Sequence, residues 1–178
     1  MTVLDRATSQ LLVVDLQERL MPVIADGSAV VATAGRLVEA ARLLNVPVAF
    51  TEQNPRGLGG TVAGLSTAGA TVFEKATFDA TRQPGFAEIL ASDRPEVVVC
   101  GCEAHVCVLQ TVLGLLSVGW RVRVVADAVG SRAPANRAAA LERMARQGAE
   151  IMTFEMVAFE WLGSAEDQAF KAVLALIK

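Results

Sequence analysis

The chain has 178 residues, of which 53% are hydrophobic and 20% charged, with a formal net charge of −3. This length fits one domain over residues 1–178, able to bury roughly 70% of the surface its unfolded chain exposes, and the acidic balance leaves no basic footprint for a nucleic-acid partner. No apolar run approaches the ~20 residues that span a bilayer, and the opening MTVLDRATSQ shows no basic stretch followed by an apolar one, so a cytoplasmic protein without a membrane partner is expected.

Short apolar runs alternate with longer amphipathic ones. Residues 9–15, SQLLVVD, form a buried-strand pattern ending on an acid, and 29–44 carry Ala, Leu, Val and Arg at helical spacing, stopped by Asn45. Residues 46–51 predict a second strand, with Pro47 near its start, where the ladder tolerates it. The glycine-rich PRGLGGTVAG follows, then a short extended piece at 71–73 and a helix over 84–92 opened by Pro84. The valine run at 96–100 is a strand, because branched Cβ atoms favour extended backbone. Residues 106–118 predict a helix closed by Gly119, 121–126 a strand, 135–147 a helix closed by Gly148, and 150–152 a last strand. Helices are expected over 153–162 and 168–177.

Strand and helix alternating in this way predict a three-layer α/β fold, a doubly wound, mostly parallel sheet with helices on both faces. The apolar excess suits such a sheet and also a subunit that hides surface in a homo-oligomer. Ligands of open sheets of this kind bind at the carboxyl ends of the strands. The informative residues are therefore Asp15, the group 51–54 and the segment GCEAHVC, which with the preceding Cys100 holds every cysteine and the only histidine of the chain.

The spacing Cys100, Cys102, His105, Cys107 offers four soft ligands on paper. Cys100 ends a strand, Cys102 lies beyond a glycine turn, and His105 and Cys107 point about 200° apart around a helix axis, so the four do not converge on a tetrahedral metal. An odd cysteine count is also a poor disulfide framework. A thiol at 107, in the first turn of a helix, would feel the positive helix end, which favours thiolate; from geometry alone it is either a reactive thiol or a small buried hydrophobe. Asp15 closes an otherwise apolar strand, where a carboxylate is costly unless paired or used. Lys75 sits between Phe73 and Phe78. Brought together with Cys107, the three make chemical sense: the lysine charge stabilises a thiolate and the acid relays protons.

The segments LLVVDLQE, VFEKATF and VVVCGCEAHVCVLQT, in this order and spacing, resemble the isochorismatase-like cysteine hydrolase superfamily along essentially the whole chain. TEQNPRGLGGTV and VRVVADAVGSR look especially like its isochorismatase-domain-containing branch. The resemblance implies a catalytic triad of Asp15, Lys75 and Cys107, a cis peptide between Cys102 and Glu103, and an oxyanion hole built from the N–H groups of Glu103 and Cys107. It implies dimers or larger assemblies, and attack of the thiol on a small-molecule substrate through a thioester. The nicotinamidase branch holds a metal through an aspartate and histidines after its second strand; TEQNPRGLGG has neither, so no catalytic metal and no cofactor is expected. Isochorismatases proper lack the cysteine. The expected substrate is thus a small amide, ureide or carbamoyl compound, with Gln53, Asn54, Phe78, His105 and Trp161 as weaker candidates to line its pocket. Two other readings stand beside this one: a thiol redox protein pairing Cys107 with Cys102, and a non-catalytic interaction module. No G-x-G-x-x-G follows the first strand, which disfavours a dinucleotide oxidoreductase.

Overall fold

The computed structural model describes residues 3–178. Its strands are β1 (Ser9–Val14), β2 (Val48–Gln53), β3 (Thr71–Lys75), β4 (Glu96–Cys102), β5 (Arg121–Gly130) and β6 (Glu150–Met152), joined in one sheet in the order β3-β2-β1-β4-β5-β6. Every adjacent pair is parallel. The helices are α1 (Gly27–Leu43), the short α2 (Pro55–Leu58), α3 (Leu109–Ser117), α4 (Pro134–Arg146), α5 (Phe154–Leu162) and α6 (Phe170–Ile177). The α/β architecture expected from the alternating pattern is present.

Strand alternation divides the core in two. Leu11 and Val13 of β1 pack with α1, α5 and α6 on one face, while Leu12 and Val14 pack with α3 and α4 on the other. All residues of β1 and of β4 are buried, which is why both carry continuous apolar runs, Leu11–Val14 and Val97–Cys100, after a polar start. The connection after β1 crosses one face and the connection after β4 crosses the other, so the chain changes direction between these two central strands. The crevice outside their carboxyl ends is where a doubly wound sheet offers a ligand site.

Two local features shape that crevice. Gly101 has φ +127°, and a Cβ there would lie 2.0 Å from the Val14 carbonyl oxygen, so only glycine lets β4 approach β1 so closely. The next peptide but one, Cys102–Glu103, is cis. At the opposite, amino end of the sheet the buried Glu96 carboxylate is satisfied by Arg121 at 2.8 Å and Arg123 at 2.9 Å, which ties β4 to β5.

Three elements differ from the sequence expectation. Of the helix expected over 84–92 only a 3₁₀ turn, Phe86–Ile89, is present, because Gly85 adopts φ +87° and interrupts a helical path from Pro84. The helix expected from 106 starts with a π-helical turn, Ala104–Val108, in which the Val108 N–H reaches the Glu103 carbonyl at 3.2 Å, before α3 proper begins. Finally, β5 runs on to Gly130 past an irregularity in its pairing with β4, longer than the 121–126 its valines suggest.

Candidate active site

Asp15 is the residue immediately after β1. Its backbone is left-handed (φ 49°), which aspartate tolerates better than most residues, and its side chain is fully buried. Thr51 of β2 donates to Asp15 Oδ1 at 2.6 Å. Lys75, the last residue of β3, donates from Nζ to Asp15 Oδ2 at 2.7 Å, and neither side chain has exposed surface. The same Nζ donates to Gln53 Oε1 at 2.7 Å and to the Thr77 carbonyl at 3.3 Å, so all three ammonium hydrogens have acceptors. Gln53 and Lys75 are opposed in the β2–β3 register. A closed ion pair of this kind is weak evidence for stability, since desolvation offsets most of the attraction.

Cys107 lies in the π-helical turn, on the α3 side of the sheet. The thiol lies close enough to Asp15 and Lys75 for both to act on its ionisation, so the acid, the lysine and the thiol share one environment. Burial, followed by the Asp15 charge, pushes the thiol from an ordinary 9.0 up to about 12, against the opposing pull of Lys75. This corrects the expectation of a thiolate held by a helix start. The turn that carries Cys107 precedes α3 instead of opening it, and the desolvation cost of the anion exceeds what nearby dipoles return. Burial at this position therefore favours the neutral thiol over the thiolate.

The other candidates fall in different places. Cys100 and Cys102 alternate with Val97 and Val99 and so face α1, on the side of the sheet opposite Cys107. The Gly130 N–H donates to the Cys102 sulfur, and burial again dominates in raising this thiol to about 12. All three cysteines are free. A Cys102–Cys107 bond would have to pass from one face of the sheet to the other, which removes the geometric basis of the redox reading. The Glu103 carboxylate accepts from the Arg132 N–H at 2.9 Å and pairs with the Arg132 guanidinium. The ring of His105 bridges Ser131 Oγ (3.0 Å, at Nδ1) and the Asn136 amide (3.3 Å, at Nε2), so the histidine fastens the cysteine-bearing turn to the β5–α4 connection and to the first turn of α4. Trp161 is 1% exposed and lies in the α1-side core, so it is a packing residue and lines no pocket with Cys107. Phe78 is 53% exposed; its carbonyl accepts from Thr111 Oγ1 at 3.4 Å, one helical turn after Cys107. Asn54 sits at the start of α2 with φ 41° and, with Arg56, Glu74 and Gln83, lines a cleft of about 370 Å³ on the outer edge of β3.

Sequence reasoning placed Thr51 in the informative group 51–54 without giving it a role, and it missed Gln17. Thr51 and Gln53 are two apart on β2 and so point the same way, one to the acid and one to the lysine. Gln17, fully buried, accepts from the Gln53 N–H at 2.8 Å and donates to the carbonyls of Gln53 (3.1 Å) and Gly59 (2.7 Å). The available signal was polarity: DLQE and TEQ place uncharged hydrogen-bonding residues beside strand ends that are otherwise apolar. Among the described residues no three His, Cys, Asp or Glu side chains gather as a metal-binding group.

An isochorismatase domain matches residues 9–156. The chain belongs to the isochorismatase family. It is 41% identical to human isochorismatase domain-containing protein 2 over 174 residues, covering 96% of this chain and 83% of that protein. It is 38% identical to isochorismatase domain-containing protein 1 of Salmo salar over 97% of this chain, and it spans only 62% of that relative's length. Among solved structures, that of the MAR1 ribonuclease from Caenorhabditis elegans superposes with a TM-score of 0.92 at 37% identity, covering 99% of this chain and 92% of that one. YcaC from Pseudomonas aeruginosa, seen with hexane-2,5-diol and covalent acrylamide, gives a TM-score of 0.91 at 26% identity over 98% of this chain and 91% of that one. The Escherichia coli YcaC gene product, described as an octameric hydrolase of unknown specificity, gives 0.88 at 25% identity over 98% and 88%. The TM-scores show that these solved structures share the fold of this chain. No helix among the described residues is long and apolar enough to cross a membrane.

Proposed function

We propose that this chain is a cysteine hydrolase that cleaves a C–N bond of a small amide, ureide or carbamoyl compound through a thioester on Cys107. The observation that carries the reading is the meeting of Asp15 and Lys75 on one thiol inside a closed, fully partnered ion pair. Folding alone has no use for an acid, an ammonium and a thiol there. The covalent acrylamide of one structural neighbour fits a fold that presents a nucleophile.

The resting thiol is neutral, so its proton leaves as it attacks. Asp15 takes that proton, and the Lys75 ammonium stabilises the sulfur anion as it forms. The sulfur adds to the substrate carbonyl carbon, and the resulting oxyanion takes hydrogen bonds from the N–H groups of Glu103 and Cys107. Donors of this kind contribute about 10²–10³ in rate each. Collapse of the adduct breaks the C–N bond, with Asp15 returning its proton to the leaving nitrogen, and leaves the acyl group on sulfur. Asp15 then takes a proton from water as the oxygen attacks the thioester, and the departing thiolate recovers it. The products are an acid and an amine, and the enzyme ends as it began. All of these proton transfers run through side chains of this chain.

Turnover of a panel of small amides, ureides and carbamoyl compounds by the wild-type protein and by Cys107→Ala tests the proposal. Cys107→Ala is expected to lose turnover by at least 10³, with the acyl-enzyme mass on the wild type seen after rapid quench. Equal rates in the two proteins would sink the reading. Because one neighbour is named a ribonuclease, an RNA arm belongs in the same panel. RNA cleavage that persists in Cys107→Ala, with no amide turnover, would replace the hydrolase reading with another chemistry.

A further inference from the structure

We infer that Gln53 is a positioning residue for Lys75 and contributes no direct contact to the substrate. Both ends of its amide are occupied on the lysine's own segment: Oε1 accepts from Lys75 Nζ at 2.7 Å, and Nε2 donates to the Ala76 carbonyl at 2.8 Å. Its backbone is held by Gln17, whose side chain is fully buried and anchored to Gly59. Turning the Gln53 amide toward a ligand would leave a buried ammonium hydrogen and a carbonyl without partners.

The arrangement has a directional consequence. A lysine ammonium is a point charge with three rotatable donors on a flexible stem. Two acceptors at 2.7 Å, Asp15 Oδ2 and Gln53 Oε1, set two of the three directions, and the third hydrogen makes the longer contact of 3.3 Å to the Thr77 carbonyl. That third hydrogen is the one that can leave a weak acceptor for the sulfur as it becomes an anion. A neutral amide suits the task, because it orients the ammonium without cancelling its charge. A carboxylate in the same place would hold the nitrogen at least as firmly and would weaken its field at the thiolate.

This deepens the cysteine-hydrolase reading and rests on it only for turnover; the thiol itself is read independently. The experiment uses Gln53→Glu and Gln53→Met, with iodoacetamide as the probe and fragment-ion mass spectrometry to follow alkylation at Cys107 between pH 7 and 9. Gln53→Glu is expected to keep wild-type resistance to urea and yet alkylate at least tenfold more slowly throughout, and Gln53→Met to slow alkylation as well. In turnover, both are expected to lower kcat with KM within about twofold of wild type, the signature of a group acting on the transition state. Alkylation of Gln53→Glu at or above the wild-type rate would overturn the inference, since a purely structural hydrogen bond is improved by that change. So would unchanged alkylation with a raised KM, which assigns Gln53 to the substrate. If Gln53→Glu fails to fold, wild-type alkylation of Gln53→Met overturns the inference equally. Should Cys107→Ala retain turnover, the hydrolase mechanism falls while the alkylation arm still decides the role of Gln53.

Discussion

Replacing Lys75 with methionine keeps the length of the side chain and removes its charge. The Asp15 carboxylate then stays fully buried with one neutral partner on its own strand neighbour, Thr51 Oγ1 at 2.6 Å, and Gln53 Oε1 loses its donor. Removing one partner of a buried ion pair costs about 3–5 kcal/mol, a large share of the roughly 5–15 kcal/mol that holds a domain together. The variant is therefore expected to unfold at clearly lower urea. Asp15→Asn, which strands the ammonium instead, is expected to lose a comparable amount. The double variant Asp15→Asn/Lys75→Met removes both charges at once and is expected to recover to within about 2 kcal/mol of wild type, because neutral packing often replaces a buried pair at no cost. Urea unfolding followed by circular dichroism on the wild type, both single variants and the double variant closes a cycle that isolates the pairwise energy. All three variants are expected to be inactive, which separates the pair's chemical use from its structural weight. A loss below about 1 kcal/mol in Lys75→Met, or a double variant that loses the sum of the two single changes, would refute the picture of a closed, interacting pair.

Further outcomes follow from other parts of the structure. A thiol moved from 9.0 to about 12 has about a thousandfold smaller thiolate fraction at pH 8. Cys107 is therefore expected to alkylate more slowly than a model peptide thiol, and alkylation at the peptide rate would show that a thiolate exists at rest. Cys100, Cys102 and Cys107 are all raised from 9.0 by burial. Their contribution is fully present below pH 9 and is lost as pH climbs from 9 toward 12, by about 1 kcal/mol per thiol per pH unit. The chain has no tyrosine to titrate in that range, so Cys100→Ala/Cys102→Ala should flatten the fall in urea midpoint between pH 8 and 10; an equally steep fall would clear the thiols of responsibility. Gly101→Ala places a methyl 2.0 Å from a backbone oxygen and is expected to cost about 3 kcal/mol or more by thermal unfolding. Light scattering at micromolar concentration is expected to show a homo-oligomer, and a monomer mass would count against it.

The strands were legible because apolar runs with β-branched residues leave few alternatives, and β1 and β4, buried on both faces, carry the plainest of them. From the strands came the place to look, the carboxyl ends beside the β1–β4 reversal, and there Asp15 and Cys107 stand. The faces of β4 could also have been read: in VVVCGC the period of two sends Cys100 and Cys102 away from Val97 and Val99, which separates them from any residue on the α3 side. What escaped was set by tertiary contact. Pro84 and an apolar pattern suggested a helix, but Gly85 took a left-handed conformation and broke it. The direction of the Cys107 shift depended on how deeply the π-helical turn sank, and the sequence carries no measure of depth. Trp161 was misplaced because helix periodicity says that a face is buried and leaves open which side of the sheet covers it. Gln53 was named for the site but given to the ligand, since its partner lies 22 residues away on a neighbouring strand.

The Asp15–Lys75 contact joins residues 60 apart in the chain, and Cys107 arrives only after β4 has been laid beside β1. Each of these closures is a long-range event, and long-range pairing comes late and slowly in parallel sheets. An incompletely folded chain therefore has an acid, a lysine and a thiol with no common environment, and its cysteine behaves like any other. Their common environment is a property of the finished sheet, so the rate at which a thiol reagent reacts becomes a clock for folding: fast while the sheet is open, slow once it has closed.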